Sequence, residues 1–253
     1  MHTTFGEGPR LIYLPGWLSS LEAFSDGSDP RTPVVARLAR DFTVTVYDRF
    51  GTGMSSADGA VDTSFEPSVE EVLALLDEVG DDVTLFASSA SGPIAIAAAA
   101  RSPRVSRLVL LCTFASGPAL FRKQEATASL LALVRSSWGM GSRVIANLIV
   151  PGLDAITSHE FARFQRRTAG AEVAAGYLEQ MLGADVSHLL GQVTQPALVM
   201  HYTKDPAVPF GGARQLSLGL PSSELVSLEG PYHVPPPDHV ERIVSAVVAF
   251  ARS

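Results

Sequence analysis

Short β-rich runs alternate with helical segments along most of the chain, and this alternation limits the possible folds more than any other feature. The runs are nearly continuous in Val, Ile, Leu and Phe, which is typical of strands covered by helices on both faces. Because the first run begins close to the start of the sequence, any strand ahead of it must be missing or very short. The pattern predicts a doubly wound α/β fold whose mostly parallel sheet has about six core strands, at Leu11–Leu14, Phe42–Tyr47, Val83–Phe86, Val105–Cys112, Ala197–His201 and Glu224–Leu228.

One stretch of roughly 80 residues, from about 113 to 193, contains no convincing strand. Its apolar residues recur at helical spacing, and glycines and prolines separate the segments. Long connections of this kind are commonly lids or binding elements. We therefore expect a core formed by residues 1–112 and 194–253 that carries a helical cap at 113–193, with helices at Lys123–Trp138, Ser142–Ile149, His159–Arg167 and Ala171–Leu190.

The charge of the chain argues against a nucleic-acid partner. Its formal net charge is -7, whereas proteins that bind the phosphate backbone carry clustered Lys and Arg. The most apolar short run, Pro93–Ala100, is far shorter than the ~20 residues of a membrane-spanning helix. The one cysteine, Cys112, forms no internal disulfide and lies in an apolar run, where it is expected to act as a small hydrophobe. No signal peptide precedes the first predicted strand, so we expect a cytoplasmic protein without a membrane partner.

A cluster of small residues marks the passage from the strand at Val83–Phe86 into an alanine-rich helix. A serine in a G-x-S-x-G turn needs small residues two positions before and after it, because the backbone turns sharply there. Ser89 has Ala87 and Ser91 at these positions, whereas Ser88 and Ser91 each have a large or cyclic residue at one of them. Ser89 is therefore the predicted nucleophile, and Ser91 is predicted to adjust the turn by hydrogen-bonding the backbone or Ser89.

A nucleophilic serine needs a base and a carboxylate that orients the base. Six histidines are candidates, and His233 is selected because it follows the last predicted strand, at the edge where the parallel strands end. His201 ends a strand and is interpreted as a structural hydrogen-bonding residue. Asp205 lies in the loop after that strand, although an aspartate before proline is also typical of a turn. The chain order Ser89, Asp205, His233 is the order nucleophile, acid, base of α/β-type serine enzymes.

Two backbone N–H groups are expected to stabilise negative charge on the substrate. Ala90 follows the nucleophile, and Trp17 lies in the loop after the first predicted strand. The glycine-rich stretch Asp48–Ser55 has neither phosphate-loop nor dinucleotide spacing and is interpreted as a structural turn. No metal or organic cofactor is required. Five side chains are predicted to contact substrate: Leu18, Trp138, Met140, Tyr177 and Met181.

The chain resembles the α/β-hydrolase superfamily over nearly its whole length. The resemblance rests on the candidate triad and on the stretches Pro15-Gly16-Trp17, Trp138-Gly139-Met140-Gly141-Ser142 and Phe161–Arg166. It is most similar to the group found alone or fused to bacterial adenylate cyclase and transcription-regulator modules. It departs from the wider pattern at Pro15, where most relatives have histidine. It also departs at Ala87 and Ser91, which stand where the G-x-S-x-G turn has glycine. The resemblance assigns the acid and base positions to Asp205 and His233.

The predicted function is a serine hydrolase acting on an ester, thioester or lactone of a small, largely apolar molecule. A serine at the nucleophile position disfavours dehalogenase and epoxide hydrolase chemistry, in which relatives use aspartate. Two alternatives stay open, because fold alone does not decide chemistry. One is a lyase, a cyclase or a C–C bond-cleaving enzyme with the same pocket, and the other is a ligand-binding sensor with a slow or vestigial triad. The expected partner is a small-molecule substrate, and a homodimer is left open.

Overall fold

The computed structural model describes residues 1–55, 59–121, 124–152 and 154–252. Within these residues one sheet has seven strands in the order β1-β3-β2-β4-β5-β6-β7. All strands are parallel except β1, which pairs antiparallel with β3. The predicted fold class is confirmed, and β1 is the very short additional strand. The strands are β1 His2–Phe5, β2 Arg10–Leu14, β3 Thr43–Tyr47, β4 Val83–Ser88, β5 Val105–Leu111, β6 Ala197–Tyr202 and β7 Ser223–Leu228.

Helices cover both faces of the sheet, as the continuous apolar strands predict. On one face α3 Phe65–Val79, α4 Gly92–Arg101 and α10 Gly211–Gly219 bury apolar residues against alternate positions of β2, β4, β5 and β6. The other positions of these strands pack against α2 Thr32–Leu38 and α11 Val240–Arg252. The short helix α1 Leu21–Asp26 is capped by Ser20, whose side chain accepts from the backbone N–H of Ala23. A bilayer-spanning helix is absent from the described ranges, since no helix there is both long enough and apolar enough.

The segment between β5 and β6 is helical. It contains α5 Gly117–Leu120, α6 Gln124–Ser136, α7 Trp138–Ile149, α8 Ala155–Thr168, α9 Ala171–Gly183 and a 3-10 helix at Ser187–Gln192. Trp138 begins α7 instead of ending α6, because Ser137 leaves the helical conformation at φ -151° and ψ 73°. The predicted helix at Ala171–Leu190 stops at Gly183 for the same kind of reason, since Ala184 is extended. Lys123, the predicted start of the first helix, lies outside the described residues.

The carboxyl ends of the central strands lie side by side. Leu14 at the end of β2 is level with Ala87 of β4, and Ser88 is level with Leu111 of β5. Leu111 is in turn level with Met200 of β6. The loops that follow these strands therefore meet at one edge of the sheet, where ligands bind in open α/β sheets.

A partly buried carboxylate gives the fold a pH dependence. Glu71 on α3 accepts a hydrogen bond from the Phe50 N–H at 2.6 Å, while its second oxygen is buried and has no hydrogen-bond partner among the described residues. Burial raises the pKa of Glu71 to about 7, and the charge of Arg49 only partly offsets this. Because the unfolded chain ionises Glu71 at a lower pH than the folded chain, ionisation favours unfolding as the pH rises from about 4.5 to about 7.

We therefore expect Glu71→Gln to stabilise the protein at pH 8 by about 2 kcal/mol, since one pKa unit is worth ~1.4 kcal/mol and Glu71 is partly exposed. At pH 4.5 the variant and the wild type should unfold at nearly the same temperature. Thermal unfolding at both pH values measures the difference. Glu70→Gln, a change on the exposed face of the same helix, is the control. An equal rise in unfolding temperature at the two pH values would show that ionisation of Glu71 does not cause the difference.

Candidate active site

The turn between β4 and α4 holds Ser89 in a strained backbone conformation. Its φ is 53°, in the left-handed region that non-glycine residues rarely adopt. Two glycines make room for this turn. A Cβ at Gly16 would lie 2.4 Å from the Ser89 Cβ, and a Cβ at Gly92 would lie 2.0 Å from the Thr113 Oγ1. The strain and the packing together project the Ser89 side chain beyond the end of β4.

The positions where glycine is replaced are accommodated by burial and hydrogen bonding. Ala87 is fully buried within β4. The Ser91 hydroxyl accepts from the Ser88 backbone N–H at 3.1 Å and lies 2.8 Å from the carbonyl oxygens of both Leu14 and Ser88. Ser91 thus hydrogen-bonds the backbone and ties the end of β2 to the end of β4. These contacts explain how the turn forms without the two usual glycines.

Three predicted residues from three loops meet in one hydrogen-bonded chain. The Ser89 Oγ lies 2.8 Å from the His233 Nε2, and the His233 Nδ1 lies 2.8 Å from the Asp205 Oδ2. Asp205 and His233 are both buried. The other Asp205 oxygen accepts from the backbone N–H groups of Ala207 and Val208 at 2.8 and 2.9 Å. Asp205 therefore stabilises its own turn and also orients the imidazole, so the two interpretations of this residue are compatible.

Two further groups flank the Asp205 carboxylate. The His201 Nε2 lies 2.9 Å from the Val208 carbonyl oxygen and 3.5 Å from the Asp205 Oδ2, and burial lowers the pKa of His201, which keeps it neutral. Cys112 is buried at the end of β5, and burial together with the Asp205 charge raises the pKa of its thiol well above the usual value. A neutral thiol is a poor nucleophile.

Cys112, Asp205 and His233 place their ligand-type atoms within 4.8 Å of one another, which is close enough to hold a metal ion. Metals bind cysteine as the thiolate and histidine through an unprotonated nitrogen. The raised thiol pKa opposes the first condition, and the hydrogen bond from His233 to Asp205 occupies the nitrogen that faces this group. The residues therefore fit a hydrogen-bonded chain better than a metal site.

The loop after β2 lies against Ser89. Gly16 contacts Ser89, so the following residue, Trp17, borders the space above the serine. The loop is held by a buried ion pair in which Arg31 lies 2.6 Å from Asp29 and donates to the Leu18 carbonyl oxygen at 2.7 Å. Sequence reasoning missed this ion pair. Its only signal is a pair of opposite charges two positions apart in a short connection.

Two cavities adjoin Ser89, and both are lined by Trp17, Ser89, Ile149 and His233. The larger has a volume of about 670 Å³, and His233 is the only ionisable side chain among the described residues that line it. The smaller has a volume of about 30 Å³ and extends toward Tyr13, Ser88 and Cys112, which is enough for one or two water molecules. The remaining lining of the larger cavity is mostly apolar and includes Leu120, Phe121, Leu130, Val144, Ile145, Leu148, Leu178, Met181, Leu182, Val208 and Pro209.

Of the five side chains predicted to contact substrate, Met181 lines the larger cavity and the other four line neither cavity. Leu18 is buried in the core, and the Trp138 indole donates to the Ala169 carbonyl oxygen at 2.9 Å. The Tyr177 hydroxyl donates to the Phe50 carbonyl oxygen at 2.6 Å. Met140 is 55% exposed on the outer surface of α7. Helical periodicity identifies apolar faces, but it does not tell which neighbour each face contacts.

The fold and the site define the class of protein. The sequence model of the alpha/beta hydrolase family matches residues 11–246, and the chain belongs to this family. The match to this family does not bear on the predicted similarity to the group found alone or fused to cyclase and regulator modules.

The chain is also similar to proteins whose names indicate different functions. The chain is 29% identical to a pimeloyl-[acyl-carrier protein] methyl ester esterase of Nitrosomonas europaea, over 98% of this chain and 97% of the relative. It is 27% identical to the Karrikin insensitive 2 receptor CA of Petunia hybrida, over 80% of this chain and 79% of the receptor. The crystal structure of the enol-lactonase from Burkholderia xenovorans LB400 superposes with a TM-score of 0.80 at 22% identity, over 100% of this chain and 96% of the lactonase, and shows the shared fold.

Proposed function

We propose that this protein is a serine hydrolase that cleaves uncharged esters, thioesters or lactones carrying an apolar group, with Ser89, His233 and Asp205 as its catalytic triad. The observation that carries the proposal is the hydrogen-bonded chain itself. It joins a serine in a strained turn to a buried histidine and a buried aspartate, at the point where two cavities meet.

The geometry supports a two-step acyl transfer. The Ser89 Oγ attacks the substrate carbonyl carbon while its proton passes to the His233 Nε2, and the Asp205 carboxylate stabilises the resulting imidazolium. The backbone N–H groups of Trp17 and Ala90 stabilise the oxyanion. His233 then donates the proton to the leaving alcohol, thiol or lactone oxygen. In the second step His233 takes a proton from water as the water attacks the acyl-enzyme. His233 then returns the proton to the Ser89 Oγ, which releases the acid and restores the free serine.

The larger cavity supports an apolar substrate. Its described lining contains no carboxylate, guanidinium or ammonium group, so a charged substrate group there would lose its hydration without gaining a partner. An apolar chain would instead gain about 25 cal/mol for each Å² of surface removed from water.

One relative favours a second candidate function. Because a family member at 27% identity is named a receptor, a ligand-binding sensor that retains a slow triad stays a candidate here. A sensor of this kind would react about once per molecule, whereas a hydrolase turns over many times.

Steady-state hydrolysis of p-nitrophenyl esters tests the proposal. We expect multiple turnovers, and a higher kcat/KM for an uncharged hexanoyl or octanoyl ester than for a succinyl ester, whose acyl group carries a carboxylate. Release of one p-nitrophenolate per protein without further turnover would favour the sensor. Preference for the succinyl ester would contradict the apolar assignment.

A further inference from the structure

We infer that Gln165, a buried residue of the helical segment between β5 and β6, positions Trp17 in the oxyanion hole. The inference rests on the proposed function, because it requires the backbone N–H of Trp17 to face the oxyanion. Gln165 is a positioning residue in this account, and it acts through the Trp17 indole without touching the substrate.

The backbone on one side of Trp17 is already fixed. The Arg31 guanidinium donates to the carbonyl oxygens of Leu18 and Trp17 at 2.7 and 3.3 Å, and Asp29 holds the guanidinium in place. The catalytic N–H, however, belongs to the preceding peptide, between Gly16 and Trp17. Gly16 packs against Ser89 but has no side chain that could anchor this peptide, so the Trp17 side chain is the anchor that remains.

That side chain is anchored by a hydrogen bond to Gln165. The Trp17 Nε1 donates to the Gln165 Oε1 at 2.7 Å, across 148 positions of sequence, and Gln165 is fully buried. The Gln165 amide nitrogen donates to the Ser142 carbonyl oxygen at 3.0 Å. Because the nitrogen is committed to this carbonyl, the oxygen must point toward the indole. Gln165 therefore presents an acceptor whose direction is set in advance.

The same contacts connect the loop after β2 to the wall of the larger cavity. Ser142 lies on α7, and the same helix contributes Ile145 and Ile149 to the cavity. Trp17 lines the cavity as well. Gln165 also donates to the Phe161 carbonyl oxygen of its own helix at 3.5 Å. Its two shorter hydrogen bonds link α8 to α7 and to the loop after β2. The packing position of α8 thus sets the position of the Trp17 backbone N–H.

Gln165→Met tests the inference, because methionine keeps the length of the side chain and loses the acceptor. A misplaced oxyanion donor weakens a contact made mainly in the transition state. We expect kcat to fall about 10-fold to 100-fold with a p-nitrophenyl ester, while KM stays within about threefold. The rate at which a fluorophosphonate labels Ser89 should fall in parallel. Thr168→Val is the matched control, since it removes a buried hydrogen bond within α8, from Thr168 to the Phe164 carbonyl oxygen, and should leave kcat within about twofold.

A double-mutant cycle with Trp17→Phe tests the route through the indole. Trp17→Phe alone removes the indole N–H that donates to Gln165 and should lower kcat to a similar extent. This variant tests the same hydrogen bond if Gln165→Met does not fold. Adding Gln165→Met to Trp17→Phe should lower kcat by no more than about twofold further. The inference is overturned if either single variant keeps kcat within twofold of the wild type, or if Gln165→Met is equally harmful in both backgrounds. Failure of the wild type to label at Ser89 would instead overturn the proposed function.

Discussion

Ser89→Ala should lower kcat for ester hydrolysis by about 10⁴-fold to 10⁶-fold and leave the protein folded. In the proposed mechanism the hydroxyl forms the bond to the substrate carbonyl, so its removal should abolish covalent catalysis and leave only the binding and oxyanion contributions. Packing should change little, because alanine fills the same strained turn without one oxygen. Kinetics with one p-nitrophenyl ester, together with circular dichroism, measures both effects. Retained turnover would contradict the assignment of the nucleophile.

Ser91→Gly is the matched comparison for this variant. The Ser91 hydroxyl hydrogen-bonds backbone groups of the turn, so its loss should lower the free energy of unfolding by about 1–2 kcal/mol. The activity of the folded protein should stay within about tenfold, a change of ~1.4 kcal/mol in the activation barrier. If Ser91→Gly were inactive and Ser89→Ala active, the nucleophile would have to be reassigned to Ser91.

His233→Ala should lower kcat to nearly the level of Ser89→Ala, and the double variant should be no slower than either single variant. Members of a triad act as a unit, so once one is removed the other has nothing left to contribute. Asp205→Asn should cost less than either, because it disturbs the tautomer and orientation of the imidazole and leaves the base in place. A double variant at least about tenfold slower than both single variants would show that Ser89 and His233 act independently.

The three residues of the proposed triad could be predicted to lie together because topology alone brings them to one edge of the sheet. Ser89, Asp205 and His233 each follow a parallel strand, and parallel strands end at one edge of the sheet. The sequence therefore indicates their proximity although Ser89 and His233 are 144 positions apart. Their order along the chain selects the role of each one.

The contacts of the helical segment could not be predicted in the same way. Periodicity shows that α7, α8 and α9 each have an apolar face, but their crossing geometry depends on side-chain packing that no strand order constrains. Tyr177 consequently hydrogen-bonds a core loop, and Gln165 reaches Trp17 instead of solvent. A polar residue within an apolar helical face was the one available sign of the second contact.

The turn itself shows a further limit of motif reasoning. The G-x-S-x-G pattern draws attention to positions 87 and 91, where this chain has alanine and serine. Two glycines outside these positions, Gly16 and Gly92, leave no room for a Cβ, because they pack against Ser89 and Thr113. A motif along one strand does not reveal the loop that packs against it.

Fluorophosphonate labelling followed by mass-spectrometric mapping tests the central claim most directly. Trypsin would leave residues 50–101 in one peptide, because no Lys or Arg occurs between Arg49 and Arg101, so fragment ions must separate Ser89 from Ser88 and Ser91. We expect one phosphonyl group on Ser89, no labelling of Ser89→Ala, and much slower labelling of His233→Ala. An adduct on Ser88 or Ser91, or ester turnover by a wild type that does not label, would contradict it.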